Sequence, residues 1–413
     1  MSKKRVVITG LGVVSPIGIG KDAFWGNLKA GKSGIKPITL FDTKDVKVKL
    51  AGEVTDFEPK EILGKKGLVD FDRTTKLLLS AGKFALDDTS FEINEENTYS
   101  TGISVGSTFG NLQSMSDFDR ESLVDGPHLV NPSKFPNTVM NAPAGRLAIR
   151  FGIKGHNCTT STGMTASLDS LDYAINSINF NRIDRALVGG VKELAVQVFL
   201  GFYNLGYMSG TNNSHGPLSC PFDKRRDGVL FSEGASVFMV ESLDSAERRN
   251  AKIYAEVLSV SSNFDPFRFY KYNPKGLGMV NAMNSALKEA DINAENIDCI
   301  FANANSTKDA DLTETNAIKE VFKDYSKSVS ITSVKSMIGE SLSASGAMSV
   351  AAALGSMEEG FVPPTINYEQ KDEQCDLDYT VNKSAEKKIN IAMINSFSPN
   401  GSNTVAILGK YKN

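Results

Sequence analysis

The chain has 413 residues, 41% hydrophobic and 23% charged, enough apolar material for two domains or one large two-lobed core. Its 45 basic and 48 acidic residues leave a net charge of -3, so no field of one sign points to nucleic acid or an anionic membrane as partner. The basic start, Met1 to Arg5, runs straight into Val6-Val7-Ile8-Thr9-Gly10, too short and glycine-broken for a signal peptide or membrane span, and a cytoplasmic protein is expected.

In chain order, short β-branched runs alternate with helical patterns. The first half offers a strand over 5–9, helices over 22–30 and 74–87, a strand over 102–106, a helix over 165–179, and strands over 185–190 and 235–241. The second half offers a strand over 253–261, a helix over 277–290, a strand over 298–302 and a helix over 313–323. A strand over 328–332, a helix over 343–358 and strands over 389–395 and 403–408 complete it. Such alternation predicts an α/β fold with buried sheets. The charged run Asp244 to Asn250 lies between two strands and divides the chain into 1–250 and 251–413.

The sharpest helical signal follows Met164. Leu168, Leu171, Ile175 and Ile178 form one apolar stripe, and Ser161 and Thr162 stand where they can cap the start. A helix N-terminus there favours a thiolate, but methionine cannot ionise.

Four cysteines (Cys158, Cys220, Cys299 and Cys375) lack paired spacing, and His128, His156 and His215 lack helical metal-ligand spacing. Neither a disulfide framework nor a metal is expected, and no cofactor. Cys158 and His156 share one face of a strand, a dyad by pattern, but a small thiol in a buried core strand accounts for the same residues. Neither Cys220 nor Cys299 has a base nearby in sequence.

Motifs along the whole length resemble the elongating β-ketoacyl-acyl-carrier-protein synthases of the thiolase-like superfamily. They run from Val6 through Gly18, then Pro221-Phe222-Asp223, Arg226-Asp227-Gly228 and Glu233-Gly234-Ala235. Thr313-Glu314-Thr315, Lys335-Ser336-Met337, Asn395-Ser396-Phe397 and Asn403 follow in the same order. The resemblance implies a five-layered αβαβα sandwich of two similar halves, and a dimer. In active members a Thr-Ala-Cys run supplies the acyl-accepting cysteine, and the matching slot here is Thr162-Gly163-Met164. Two histidines of the family fall at Asn303 and Glu340, while the lysine that orients them is kept as Lys335. The family's Gly-Phe-Gly-Gly gating loop reads Ser398-Pro399-Asn400-Gly401, and Pro399 has no N–H to donate.

Condensation needs a nucleophile and donors for a developing anion. Methionine forms no thioester, ionised Glu340 repels an anion, and Asn303 keeps only its amide donors. An ion pair between Lys335 and Glu340 is expected to fill the former site. The pattern resembles the chain-length factor of type II polyketide synthases, the silent partner of an active ketosynthase in aromatic polyketide or polyene biosynthesis. That resemblance implies a heterodimer, an acyl carrier protein bearing the growing chain, and a tunnel at the interface that limits its length. Phe109, and Leu112 and Met115 placed on its side by a helix expected from 110, are the candidate tunnel walls. Lys134 precedes Phe135 where the family has an aromatic run, and it either meets a polar group of the partner or lies exposed. Two alternatives are a malonyl-carrier decarboxylase and a catalytically dead homodimeric acyl-binding scaffold.

Overall fold

The structure, a computed structural model, describes residues 3–212 and 215–411, so Met1 and Ser2 of the basic start lie outside the described residues. Ten strands build the main sheet. They are β1 (Val6–Ser15), β2 (Thr101–Gly106), β3 (Asn157–Thr160), β4 (Arg185–Lys192) and β5 (Gly234–Ser242), then β6 (Ala255–Phe264), β7 (Cys299–Phe301), β8 (Ser330–Thr332), β9 (Ile391–Phe397) and β10 (Ser402–Gly409). A short strand, Gly18–Ile19, folds back on β1.

Strand order reveals an internal repeat. The first five run β1-β5-β4-β2-β3, with two antiparallel steps and then two parallel ones. The next five run β6-β10-β9-β7-β8 with the same sequence of directions. The repeats join edge to edge where β1 pairs antiparallel with β6 through Val6↔Val257 and Ile8↔Ala255. The change from one repeat to the next falls between Ser242 and Ala255, at the charged run seen in the sequence.

Eight helices matter here: α1 (Lys21–Lys29), α2 (Arg73–Thr89), α3 (Leu112–Val124), α4 (Ala142–Phe151), α5 (Ala166–Asn179), α6 (Leu277–Glu289), α7 (Lys308–Phe322) and α8 (Ser345–Glu359). The Leu168-Leu171-Ile175-Ile178 stripe of α5 packs in one core cluster with Ala347 to Met357 of α8, facing strand residues of both repeats such as Val188 and Ile394. The α2 residues Leu77, Leu78 and Ala81 cover the other face of the first repeat, against Val105 and Val237. On α6 and α7, Met283 and Ile318 cover the second repeat, against Met393 and Val405. The result is α/β/α/β/α, five layers with α5 and α8 at the centre. Strands buried on both faces read as continuous apolar runs, and all eight residues of β4 are buried.

Three local expectations are corrected. Cys158 lies on β3, the outermost strand of the first repeat, and is only partly buried because an edge strand has a neighbour on one side alone. His156 precedes that strand and stacks on Tyr173 at 4.8 Å. The helix expected from 110 begins at Leu112, because Gly110 has φ +56° and Asn111 has ψ 60°, values outside the helical region. No described helix is long and apolar enough to cross a membrane.

Candidate active site

Met164 sits on a single turn, Gly163–Thr165, between β3 and α5. Gly163 has φ +81°, and a Cβ there would stand 2.9 Å from Ser398 Oγ and 3.0 Å from Asn400 Nδ2. The turn and the 398–401 loop therefore pack in contact, which only glycine permits. Ser396 Oγ also donates to the Met164 carbonyl at 2.9 Å. The Met164 side chain is buried in an apolar cluster with Leu194, Met208, Phe231 and Leu342, on which the half-buried Phe109 and Leu112 pack. Met115 lies one turn beyond Leu112 and is 39% exposed.

The expected caps do not form. Thr162 Oγ1 donates to the Asp169 carboxylate instead, joined by Thr165 Oγ1 at 2.8 Å and Thr404 Oγ1 at 2.6 Å, while Ser161 Oγ reaches the Thr108 carbonyl. Asp169 lies in the first turn of α5, where a carboxylate suits the helix dipole, and it collects the hydroxyls that would otherwise cap.

Asn303 follows β7. Its N–H donates to Glu314 Oε1 at 2.9 Å, and the N–H of Ala304 donates to Glu314 Oε2 at 2.8 Å. Burial pushes the Glu314 carboxyl up to about 7, against those donors and the Asn395 amide, which favour its charged form. Asp311 similarly holds the N–H of Asn305 and of Phe222, each at 2.9 Å, and burial raises it to about 6 against the nearby Arg226. Two buried acids on α7 thus fix the path of the 303–305 segment.

Lys335 and Glu340 meet beneath it. Lys335 Nζ stands 2.8 Å from Glu340 Oε2 and donates to Asn303 Oδ1 at 3.0 Å. Asn305 Nδ2 also donates to Glu340 Oε2, at 3.3 Å. The other oxygen, Oε1, accepts from Leu342 N–H at 2.8 Å and Ser345 Oγ at 2.6 Å. Asn303, Lys335 and Glu340 are all buried. Every lone-pair direction of Glu340 faces a donor, so it accepts and has nothing to donate. Asn303 uses its oxygen on Lys335, which leaves its Nδ2 hydrogens as the one donor group at that position.

In the 398–401 loop, Gly401 N–H donates to the Ser398 carbonyl at 3.0 Å and Ser402 N–H to Asn400 Oδ1 at 3.1 Å, closing a tight turn around Pro399. Lys134 forms an ion pair with Glu121 of α3.

Sequence reasoning missed Tyr207 and Tyr272. The Tyr207 hydroxyl stands beside Asn305, Thr307 and Tyr272, and Tyr272 donates to the Phe397 carbonyl at 3.2 Å. Neither tyrosine lies in a motif, and only the folded contacts bring them to the site. Cys220, by contrast, is buried with its N–H on Ser306 Oγ at 3.0 Å, and burial pushes its thiol up to about 12, so it is an unreactive core residue.

Residues 3–246 match the family Beta-ketoacyl synthase, N-terminal domain, and residues 254–369 match Beta-ketoacyl synthase, C-terminal domain. The chain is 36% identical over 411 residues to the 3-oxoacyl-[acyl-carrier-protein] synthase 2 of Coxiella burnetii, covering 99% of each. It is 34% identical to the enzyme of the same name from Synechocystis, covering 100% of this chain and 99% of that one. Among solved structures it superposes on the ishigamide ketosynthase/chain length factor with TM-score 0.92 and 33% identity, covering 100% of both. A type II polyketide synthase acyl-carrier protein in complex with its ketosynthase bound to the hexaketide gives TM-score 0.91 and 28% identity, covering 99% of this chain and 100% of that one. With its five-layered fold, the chain belongs to the beta-ketoacyl synthase family.

Proposed function

We propose that the chain is a non-catalytic chain-length factor, the silent subunit that pairs with an active ketosynthase in a type II polyketide synthase. The observation that carries this reading is the closed Lys335–Glu340–Asn303 cluster, with a methionine at the acyl-accepting turn. A 3-oxoacyl synthase forms its thioester on a thiolate, and the thioether of Met164 has no proton to lose. Glu340 is held in place by four donors, so its position supplies neither a base in reach of substrate nor a donor to an oxyanion.

The fold is nevertheless kept, and its surface suits a partner. The segments 112–151 expose Met115, Leu123, Leu129, Phe135, Met140 and Ile149, more apolar side chain than scattered surface residues provide. Beside them β3 ends the sheet, with its outer hydrogen-bonding edge open within this chain. An open strand edge flanked by an apolar face favours a homologue that continues the sheet. In this reading Phe109 and Leu112 line the inner end of a shared tunnel, and Met115 faces the partner. An acyl carrier protein presents the growing chain to the pair.

Co-expression with a cysteine-bearing ketosynthase from the same genome tests the proposal. A one-to-one complex that makes a polyketide of defined length, and makes none without this chain, is the expected result. Turnover of malonyl-carrier protein by the isolated chain supports a decarboxylase instead, and a stable homodimer that ignores the ketosynthase supports an acyl-binding scaffold.

A further inference from the structure

Residues 264–275, from the last residue of β6 toward α6, hold aromatic side chains at five of twelve positions. Only Tyr272 of the five is buried; Phe264, Phe267, Phe269 and Tyr270 are exposed, Phe269 by 74% and Tyr270 by 53%. Leu277, the first residue of α6, is exposed as well. The segment's one acid is turned inward. The Asp265 carboxylate accepts from Asn273 Nδ2 at 3.0 Å and from Gly278 N–H at 3.2 Å, and Asp265 N–H donates to the Gly401 carbonyl at 2.8 Å. Arg268, Lys271 and Lys275 stay on the surface. The chain as a whole is nearly balanced in charge, so this local excess of cations does not show in the composition.

The tip of the segment is a tight turn. Arg268 and Lys271 form an antiparallel bridge, with Lys271 N–H on the Arg268 carbonyl at 3.4 Å. Phe269 and Tyr270 fill the two central positions, ring centroids 4.5 Å apart and edge to face. Tyr270 has φ +59°, a left-handed conformation in which a bulky side chain is rare. Neither ring is buried in a core that would offset that strain, so packing does not explain why the turn displays them.

We propose that the 264–277 segment docks the chain on a bilayer surface rich in anionic lipid. Phe269 and Tyr270 enter the headgroup layer, where aromatic rings partition well, while Arg268, Lys271 and Lys275 meet lipid phosphates. The long stems of these cations lie along the apolar boundary and keep their charge in water. A protein partner would need a pocket shaped to the exposed tip, whereas a fluid bilayer moulds around it. Lys308 and Asp309 offset each other in the hollow beside Tyr270, so the attraction comes from the turn itself. The contact is peripheral and reversible, weaker than a single acyl anchor. It goes beyond the proposed pairing and uses none of the residues assigned to that face.

The test is sedimentation of the full chain with vesicles of phosphatidylcholine alone and of equal parts phosphatidylcholine and phosphatidylglycerol. At low salt the bound fraction on the anionic vesicles should be at least about fivefold that on the neutral ones, and it should fall as added salt shortens the screening length. Phe269→Ser with Tyr270→Asn removes both rings, and asparagine suits the left-handed position. That double variant should lose at least about fivefold in binding with its urea midpoint not lowered. Arg268→Gln with Lys271→Gln should abolish the preference for anionic lipid. Phe269→Trp reports insertion directly, because the chain's one tryptophan, Trp25, is buried: its emission should move to shorter wavelength on anionic vesicles. Equal sedimentation with and without anionic vesicles overturns the proposal, as does binding that survives loss of both rings. Ring-dependent binding of an apo acyl carrier protein, with none to either vesicle, also overturns it and gives the surface to an acidic protein.

Discussion

Lys335 Nζ and Glu340 Oε2 are 2.8 Å apart in a place where neither side chain meets water. Taking both charges out of solvent is costly, and their attraction repays it only with full hydrogen bonding. Asn303, Asn305, Leu342 and Ser345 complete that bonding. The pair is a unit, and either half alone is a buried unpaired charge.

Lys335→Met should therefore destabilise the chain by about 3–5 kcal/mol, while Lys335→Met with Glu340→Leu should lie within about 1–2 kcal/mol of the parent. Urea denaturation of the four members of the cycle measures the coupling. Additive losses would show that the two residues do not act together.

Glu314 makes stability depend on pH. Its folded value, raised by burial to about 7, lies above the ordinary 4.5, so in that interval the folded chain keeps a proton that the unfolded chain gives up. Stability falls as pH rises through the interval. Asp311, raised to about 6, acts with the same sign over a lower range. Glu314→Gln resembles the protonated form and should flatten the decline between about pH 5 and about pH 7.5. Its cost at the acid end should be about 1 kcal/mol, since the amide keeps one acceptor. Denaturation midpoints across pH check this, and an unchanged slope would show that Glu314 titrates elsewhere.

The alternation of strands and helices was legible because burial writes itself into local pattern: the α5 stripe and the apolar run of β4 are visible without coordinates. Counting from neighbouring motifs singled out Asn303, Lys335 and Glu340, and the fold brings those three side chains together. What could not be read depends on partners distant in sequence. Cys158 is on an edge because of which strand lies beside β3, and a four-residue run carries no record of that. Thr162 stands in sequence where a cap belongs, but Asp169 two turns later competes for its hydroxyl. Tyr207 reaches Asn305 across almost a hundred residues of chain, so neither local sequence announces the contact.

Met164→Cys alone should not restore condensation. In the proposed reading the new thiol would sit on the acyl-accepting turn, but Asn303 presents its oxygen to Lys335, and Glu340 turns its carboxylate to Lys335 and has no hydrogen to give. Groups that act together give little when only one is present. Malonyl-dependent chain extension should stay below about one-thousandth of that of an intact synthase. Mass spectrometry of the chain and of its products decides it, and robust extension by the single variant would mean the cluster is no obstacle.

Phe109→Ala should lengthen the product of the reconstituted pair by one or more two-carbon units. Phe109 packs on the cluster around Met164, and Lys192 Nζ lies 5.7 Å from its ring centroid. Removing the ring opens volume at the closed end at a stability cost of about 1–3 kcal/mol, less than for a wholly buried phenylalanine. It also uncovers Lys192, whose ammonium burial now lowers to about 8, so an amine would be added to the enlarged space. Phe109→Leu separates the two effects, because it keeps Lys192 covered while freeing part of the volume. Chromatography with mass detection should then rank chain length as Ala above Leu above Phe. An unchanged distribution in both variants, with the complex intact, removes Phe109 from the tunnel wall.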